Sequence, residues 1–229
     1  FIVMNLCSTA SQAARKATID QIRAYPGLQK PQRLAYAGYA QKVFYWYVSS
    51  AHNSKYAPII LWASGGPGTS SLYGMFVENG PYRCKINSQK QAVFSPRALS
   101  EDWSSSANYL VLDQPLGVGF SFASPSKYPK TPLAGNIQYY QALQAFFDRH
   151  PDLRSHHLYL SGESYAGTYL AMLGKSILSE KNPAKHMNLN GIILVSPWVA
   201  PRLQYQTMTD YAFFHGLIPS EQKKRLQKK

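Results

Sequence analysis

The sequence predicts an α/β chain, with a mainly parallel sheet covered by helices on both faces. Three features point there. Apolar runs at 58–62, 108–112 and 191–195 are the length of strands buried on both sides. Residues 133–149 and the stretch after 166 place apolar side chains at helical spacing between those runs. Glycine-punctuated turns at 64–68, 113–119 and 162–167 follow strands, where an open α/β sheet presents its ligand crevice.

Taken in order, residues 14–27 carry Ile19, Ile22 and Tyr25 at helical spacing and end at Pro26-Gly27, which predicts a helix. After Tyr36-Ala37-Gly38-Tyr39, the β-branched and aromatic run 42–48 predicts a strand. The polar break from Ser49 to Tyr56 reads as a hairpin turn leading into the strand Pro58–Trp62. Residues 72–106 read as loop-rich, and Asn108–Leu112 as the next buried strand. Ile137, Tyr140, Leu143, Phe146 and Phe147 mark a helix over 133–149. Leu158–Leu160 is a strand, followed by a turn at Ser164 and a helix through Leu178. Gly191–Val195 is a further strand, and Tyr205–Phe214 a helix stopped at Gly216. There is no internal repeat.

Composition narrows the class. The chain has 229 residues, 45% of them apolar, enough for one sizeable core. Its formal charge of +13 comes from 24 Lys and Arg against 11 Asp and Glu. Lys223, Lys224, Arg225, Lys228 and Lys229 concentrate part of that charge in a tail over 219–229. No nucleic-acid-binding module accompanies it, so the charge argues for general attraction to acidic surfaces and no nucleic-acid partner. No apolar run approaches the roughly 18 residues of a membrane span. Residues 1–34 form a separate N-terminal segment. Phe1–Cys7 followed by small residues reads as a signal-peptide remnant or as a frayed terminus, giving a secreted, periplasmic or vacuolar/lysosomal expectation. Cys7 and Cys84 cannot make a disulfide framework, and the sequence implies no cofactor or metal.

Ser161-Gly162-Glu163-Ser164-Tyr165-Ala166-Gly167 sits between a strand and a helix. That context fits a G-x-S-x-G-type turn, which lifts a nucleophilic serine off the sheet edge. Acyl transfer by Ser164 needs backbone N–H donors for an oxyanion. Gly65-Gly66 can approach a substrate closely, and Tyr165 offers a second N–H at a helix start.

Trp62–Ser71 with Glu78-Asn79-Gly80-Pro81, then Asn108–Ser121, then Gly162–Gly167, resemble three successive signatures of the serine carboxypeptidase family. Trp198 and His215-Gly216-Leu217-Ile218 are similar to later family segments, so the resemblance covers residues 35–218. It implies an α/β-hydrolase fold, truncated before its last strands, and release of residues from peptide C-termini through an acyl-enzyme. It also implies that Ser164 is the nucleophile and that Gly66 and Tyr165 supply the oxyanion hole. Ser64, Gly65, Glu78 and Glu163 then bind the substrate's terminal carboxylate. Two close carboxyls share a proton, and the protonated one can donate to an anion, which favours activity at acidic pH.

Two positions depart from the family pattern. Ser64 stands where an Asn is usual, and Thr69 replaces a disulfide-forming Cys. Ser64 also keeps open the related acyltransferases. A triad needs an acid and then a His after the serine in this chain order. Asp210 and His215 fall in that order but only five positions apart in one expected helix. His186 precedes Asp210, and His150, His156 and His157 precede Ser164. The catalytic Asp and His are therefore expected outside this chain. The chain is then an incomplete sequence, one member of a two-chain enzyme, or an inactive binding or scaffolding relative.

Overall fold

The computed structural model describes residues 20–28 and 32–228. Two compact units divide the chain, residues 1–197 and 198–229. The first contains a six-stranded sheet in the order β1-β2-β6-β3-β7-β8, with a two-stranded ribbon, β4 (Tyr82–Ile86) with β5 (Ala92–Pro96), beside it. The large-sheet strands are β1 (Ala35–Ala40), β2 (Val43–Val48), β3 (Ile59–Ala63), β6 (Asn108–Leu112), β7 (Leu158–Glu163) and β8 (Leu189–Val195). β6, β3, β7 and β8 pair in parallel, whereas β1-β2 and β2-β6 are antiparallel.

Strand alternation divides the core. Tyr45, Tyr47, Ile59, Leu61, Leu110, Leu112, Leu158 and Leu160 face one layer. Helix α1 (Pro132–Arg149) covers that layer with Tyr139, Ala142, Leu143, Phe146 and Phe147, and α2 (Ala166–Leu178) with Tyr169, Leu170 and Leu173. Thr131 caps α1 by accepting the Ala134 N–H, and Pro132 occupies the first turn, where its missing donor costs nothing. Val48, Trp62, Tyr109 and Val111 face the other layer. Leu72 and Met75 around a π-turn, Tyr82 of the β4-β5 ribbon and Tyr25 cover it, so no α-helix of this unit lies there among the described residues.

Two expectations change in the first unit. Within 14–27, residues 20–27 form no helix; Ile22 and Asp20 instead bond alongside β1 through Ile22 N–H to Ala35 O and Ala37 N–H to Asp20 O, both 2.9 Å. Satisfying that strand's open edge outweighs helical spacing. Residues 14–19, like the signal-remnant reading and Cys7, lie outside the described residues; Cys84 is a free thiol. The 49–56 segment is not a hairpin turn, because β6 inserts between β2 and β3. Asn108 holds that segment: its Oδ1 accepts from Ser50 N and Tyr47 Oη at 2.9 Å, and its Nδ2 donates to Ser54 O and Ala57 O. The β1-β2 pair is the hairpin, turning at Gln41 with φ of 58°.

The loop-rich stretch contains the ribbon β4 (Tyr82–Ile86) and β5 (Ala92–Pro96), and the π-turn Gly74–Glu78. In the second unit, α3 (Pro201–Phe214) starts earlier than its spacing suggested, and the basic tail forms α4 (Ser220–Gln227). Asp210 binds Lys223 at 2.8 Å between these helices. Among the described residues, β8 has a strand neighbour on its β7 side only, and Ile192, Ile193 and Val195 are exposed. No helix among them is long and apolar enough to cross a membrane.

Candidate active site

β7 runs between β3 and β8 and delivers Ser164 at its carboxyl end. Ser164 has φ of 54°, a left-handed conformation costly for a residue with a Cβ and found where surrounding structure enforces it. The enforcement is visible. Ser164 N–H bonds Val195 O of β8 at 3.0 Å, and Gly167 N–H returns to Ser164 O at 3.0 Å as α2 begins. A Cβ on Gly162 would stand 2.4 Å from Ala63 O, so only glycine lets the turn close against β3. The Ser164 side chain is exposed and its hydroxyl has no hydrogen-bond partner among the described residues.

The loop after β3 lies flush against this turn. A Cβ on Gly65 would be 2.8 Å from both Ser164 Cβ and Tyr165 N. Gly66, with φ of 111°, comes next, and the Gly68 backbone N–H lies near enough to the Tyr169 hydroxyl on α2 to favour its ionised form. Sequence reasoning missed Tyr169; one turn beyond the serine, it had no signal apart from being a tyrosine at a helix start. Gly66 and Tyr165 are thus on the two backbone segments that meet at Ser164.

Ser64 is 1% exposed, its N–H bonds Ser71 Oγ at 3.3 Å, and its own Oγ has no partner among the described residues. A buried hydroxyl so left is costly unless something completes it. The π-turn packs on β3 where a Cβ on Gly74 would come 2.0 Å from Trp62 Nε1. Its wide i→i+5 bond, Asn79 N–H to Gly74 O at 3.0 Å, leaves Glu78 as the last residue of the turn. Glu78 hydrogen-bonds Glu163, and its Oε2 is buried without a partner. Burial, then the charge of Glu163 and the hydrogen bond to it, raise the Glu78 carboxyl above its ordinary value. Tyr109 Oη donates to Asn79 Oδ1 at 2.5 Å and steadies the turn from below.

A second buried carboxylate, Asp113 at the end of β6, received no role from the sequence beyond membership of a glycine-punctuated loop. Ser70 Oγ donates to it at 2.5 Å and Phe120 N–H at 3.0 Å. Burial raises its pKa against the lowering effect of these donors. The signal was present: a buried acid closes a strand and two glycines follow within six residues.

Among the described residues of the first unit, no histidine joins Ser164. His156 bonds Ala57 O at 2.8 Å and His157 bonds Asn190 at 2.8 Å, both before the amino end of β7. His150 lies in the core beside Tyr45. In the second unit His215 stacks on Tyr211, while Asp210 binds Lys223 and Gln227. Asp210 and His215 do not bond each other. No group of three or more metal-ligating side chains occurs among the described residues.

A serine carboxypeptidase family model matches residues 26–229. The chain belongs to the serine carboxypeptidase family. It is 34% identical to serine carboxypeptidase-like 49 of Arabidopsis thaliana over 92% of this chain and 39% of that protein. It is 32% identical to the mouse lysosomal protective protein over 95% of this chain and 45% of that protein. With carboxypeptidase Y of Komagataella phaffii it shares 38% over 77% of this chain and 32% of that protein. The chain therefore spans less than half of these relatives. The crystal structure of a prohormone-processing carboxypeptidase from Saccharomyces cerevisiae superposes with a TM-score of 0.75 at 24% identity, over 89% of this chain and 48% of that one. That likeness establishes the α/β-hydrolase fold of this member of the serine carboxypeptidase family.

Proposed function

We propose that this chain carries the nucleophile-bearing part of a serine carboxypeptidase that removes residues from peptide C-termini. The packing of Gly65 against Ser164 and Tyr165 carries the reading, because it brings a donor loop to an exposed, strained serine. Ser164 Oγ attacks the last peptide carbonyl, and the N–H groups of Gly66 and Tyr165 receive the developing oxyanion. The Glu78–Glu163 pair, with the unpartnered Ser64 hydroxyl and the Gly65 backbone, receives the terminal carboxylate; a protonated Glu78 donates to it rather than repelling it. The freed C-terminal residue leaves, and water releases the acyl group. The base and its orienting acid come from polypeptide outside these residues, in the same chain or a second one. The family relationship and the carboxyl pair support a secretory-pathway or lysosomal/vacuolar setting.

The test is the full-length gene product on blocked dipeptides at acidic pH, beside Ser164→Ala. Loss of hydrolysis and of fluorophosphonate labelling in the variant is expected; retained activity removes Ser164 from its role. An inactive binding relative leaves even the full-length wild-type protein unlabelled.

Ser64 favours a second reading, acyl transfer to an alcohol at the same serine. A hydroxyl has shorter reach and one donor fewer than the amide usual there. Competing an alcohol acceptor with water on an ester substrate separates the two, since hydrolysis without transferred product excludes transfer.

A further inference from the structure

We infer that Asp113 is a positioning residue for the oxyanion loop, acting through Ser70 and Ser71; this deepens the proposed carboxypeptidase site and rests on it. The Asp113 side chain is buried where the loops after β3 and β6 meet, and both loops converge on its two oxygens. From the first loop, Ser70 Oγ donates at 2.5 Å and itself accepts the Leu72 N–H at 3.3 Å, while the Ser71 and Leu72 backbone N–H groups favour the charged carboxylate electrostatically. From the second, Phe120 N–H donates at 3.0 Å, and Ser121 Oγ donates to the Asp113 carbonyl. All these donors are neutral, and none of the ion pairs among the described residues includes Asp113. A carboxylate held in this way orders backbone by charge-assisted bonds.

The geometry gives the carboxylate a direct line to the oxyanion loop. Ser71, next to the Ser70 that bonds Asp113, accepts the N–H of Ser64 on its own Oγ at 3.3 Å. Ser64 precedes Gly65 and Gly66. Across the loop, Thr69 N–H donates to Gly65 O at 3.2 Å, and the Gly68 N–H lies near the Tyr169 hydroxyl of α2. Residues 64–71 are thus packed at one side on the Ser164–Tyr165 turn and tied at the other to Asp113 through Ser70. The second loop is shaped to admit the carboxylate: a Cβ on Gly119 would lie 2.0 Å from Asp113 Oδ2, and Gly119 has φ of 53°. An oxyanion hole depends on donor placement, and small displacements cost rate rather than ground-state binding.

The experiment uses the full-length gene product with Asp113→Asn, Ser70→Ala and Ser70→Thr, measuring kcat, KM, fluorophosphonate labelling of Ser164 and thermal unfolding. Asp113→Asn and Ser70→Ala should lower kcat about 10- to 100-fold with KM within about twofold, and Ser70→Thr, which keeps the hydroxyl, should restore most of it. A purely structural role lowers the unfolding temperature while kcat per labelled Ser164 stays at the wild-type value, and overturns the inference. So does a rise in KM at unchanged kcat, or a Ser70→Thr enzyme no faster than Ser70→Ala. If Asp113→Asn does not fold, the Ser70 pair decides alone. Failure of the wild-type protein to label refutes the proposed function itself, a result distinct from any of these.

Discussion

Glu78 and Glu163 share a hydrogen bond, although they come from the π-turn after β3 and from the strand that ends at Ser164. Two carboxyls so placed cannot both ionise cheaply, and burial together with the charge of Glu163 holds the Glu78 proton more tightly than usual. As pH rises through its elevated pKa, Glu78 ionises and the pair begins to repel a substrate carboxylate. KM for blocked dipeptides with a free C-terminus should therefore rise on the alkaline side while kcat changes less. Glu78→Gln should flatten that rise, and an ester substrate lacking the carboxylate should show none of it; steady-state kinetics from pH 4 to 8, as a rough working range, checks both.

Gly65→Ala tests the contact between the donor loop and the serine turn. The new methyl would sit 2.8 Å from Ser164 Cβ and from Tyr165 N, so the loop must retreat. Loss of one well-placed oxyanion donor costs about 100- to 1000-fold in kcat. Hydrolysis of a small ester should fall by that order while cooperative unfolding is retained.

His150 makes stability depend on pH. It is 2% exposed, and desolvation lowers its pKa to about 4 from 6.5. Tyr45 gives its one proton to Asp20 at 2.8 Å, so His150 Nε2, 3.0 Å from the same oxygen, is the donor, and the lowered pKa keeps the ring neutral near pH 7. The unfolded chain takes up a proton as pH falls below 6.5, and the folded chain resists until about 4. Stability from this group is complete above that window and is lost on the way down, by roughly 3 kcal/mol at the lower end. Denaturant unfolding at a series of pH values should show the decline, and His150→Gln should reduce its slope.

Asn108→Ala removes four hydrogen bonds from a fully buried side chain that joins β2, β6 and the 49–57 segment. Leaving the Ser50 N–H and the Tyr47 hydroxyl unpaired should destabilise the fold by about 2–4 kcal/mol, read as a lower urea midpoint with little change in slope.

The four parallel strands and their helices were legible because buried strands and amphipathic helices leave opposite periodicities. The serine turn and its glycine loop were legible because glycine there answers a steric demand, as Gly65 and Gly162 show. Strand order was not. Nothing local says that β6 lies between β2 and β3, and the polar run 49–56 reads like a hairpin until Asn108 is seen holding it. The Gly74–Glu78 turn was equally hidden, since its shape follows from packing on Trp62 rather than from its own five residues. Asp113 acts through a partner more than forty positions away, Ser70, a separation that periodicity does not encode.

The bond from Ser164 N–H to Val195 O has a mechanical consequence. Val195 belongs to the strand that has a neighbour on one side only among the described residues. Any polypeptide that pairs with its free side will pull on, or brace, the same backbone that sets the angle of the serine. The reactivity of Ser164 is then a gauge of whether that strand has been joined.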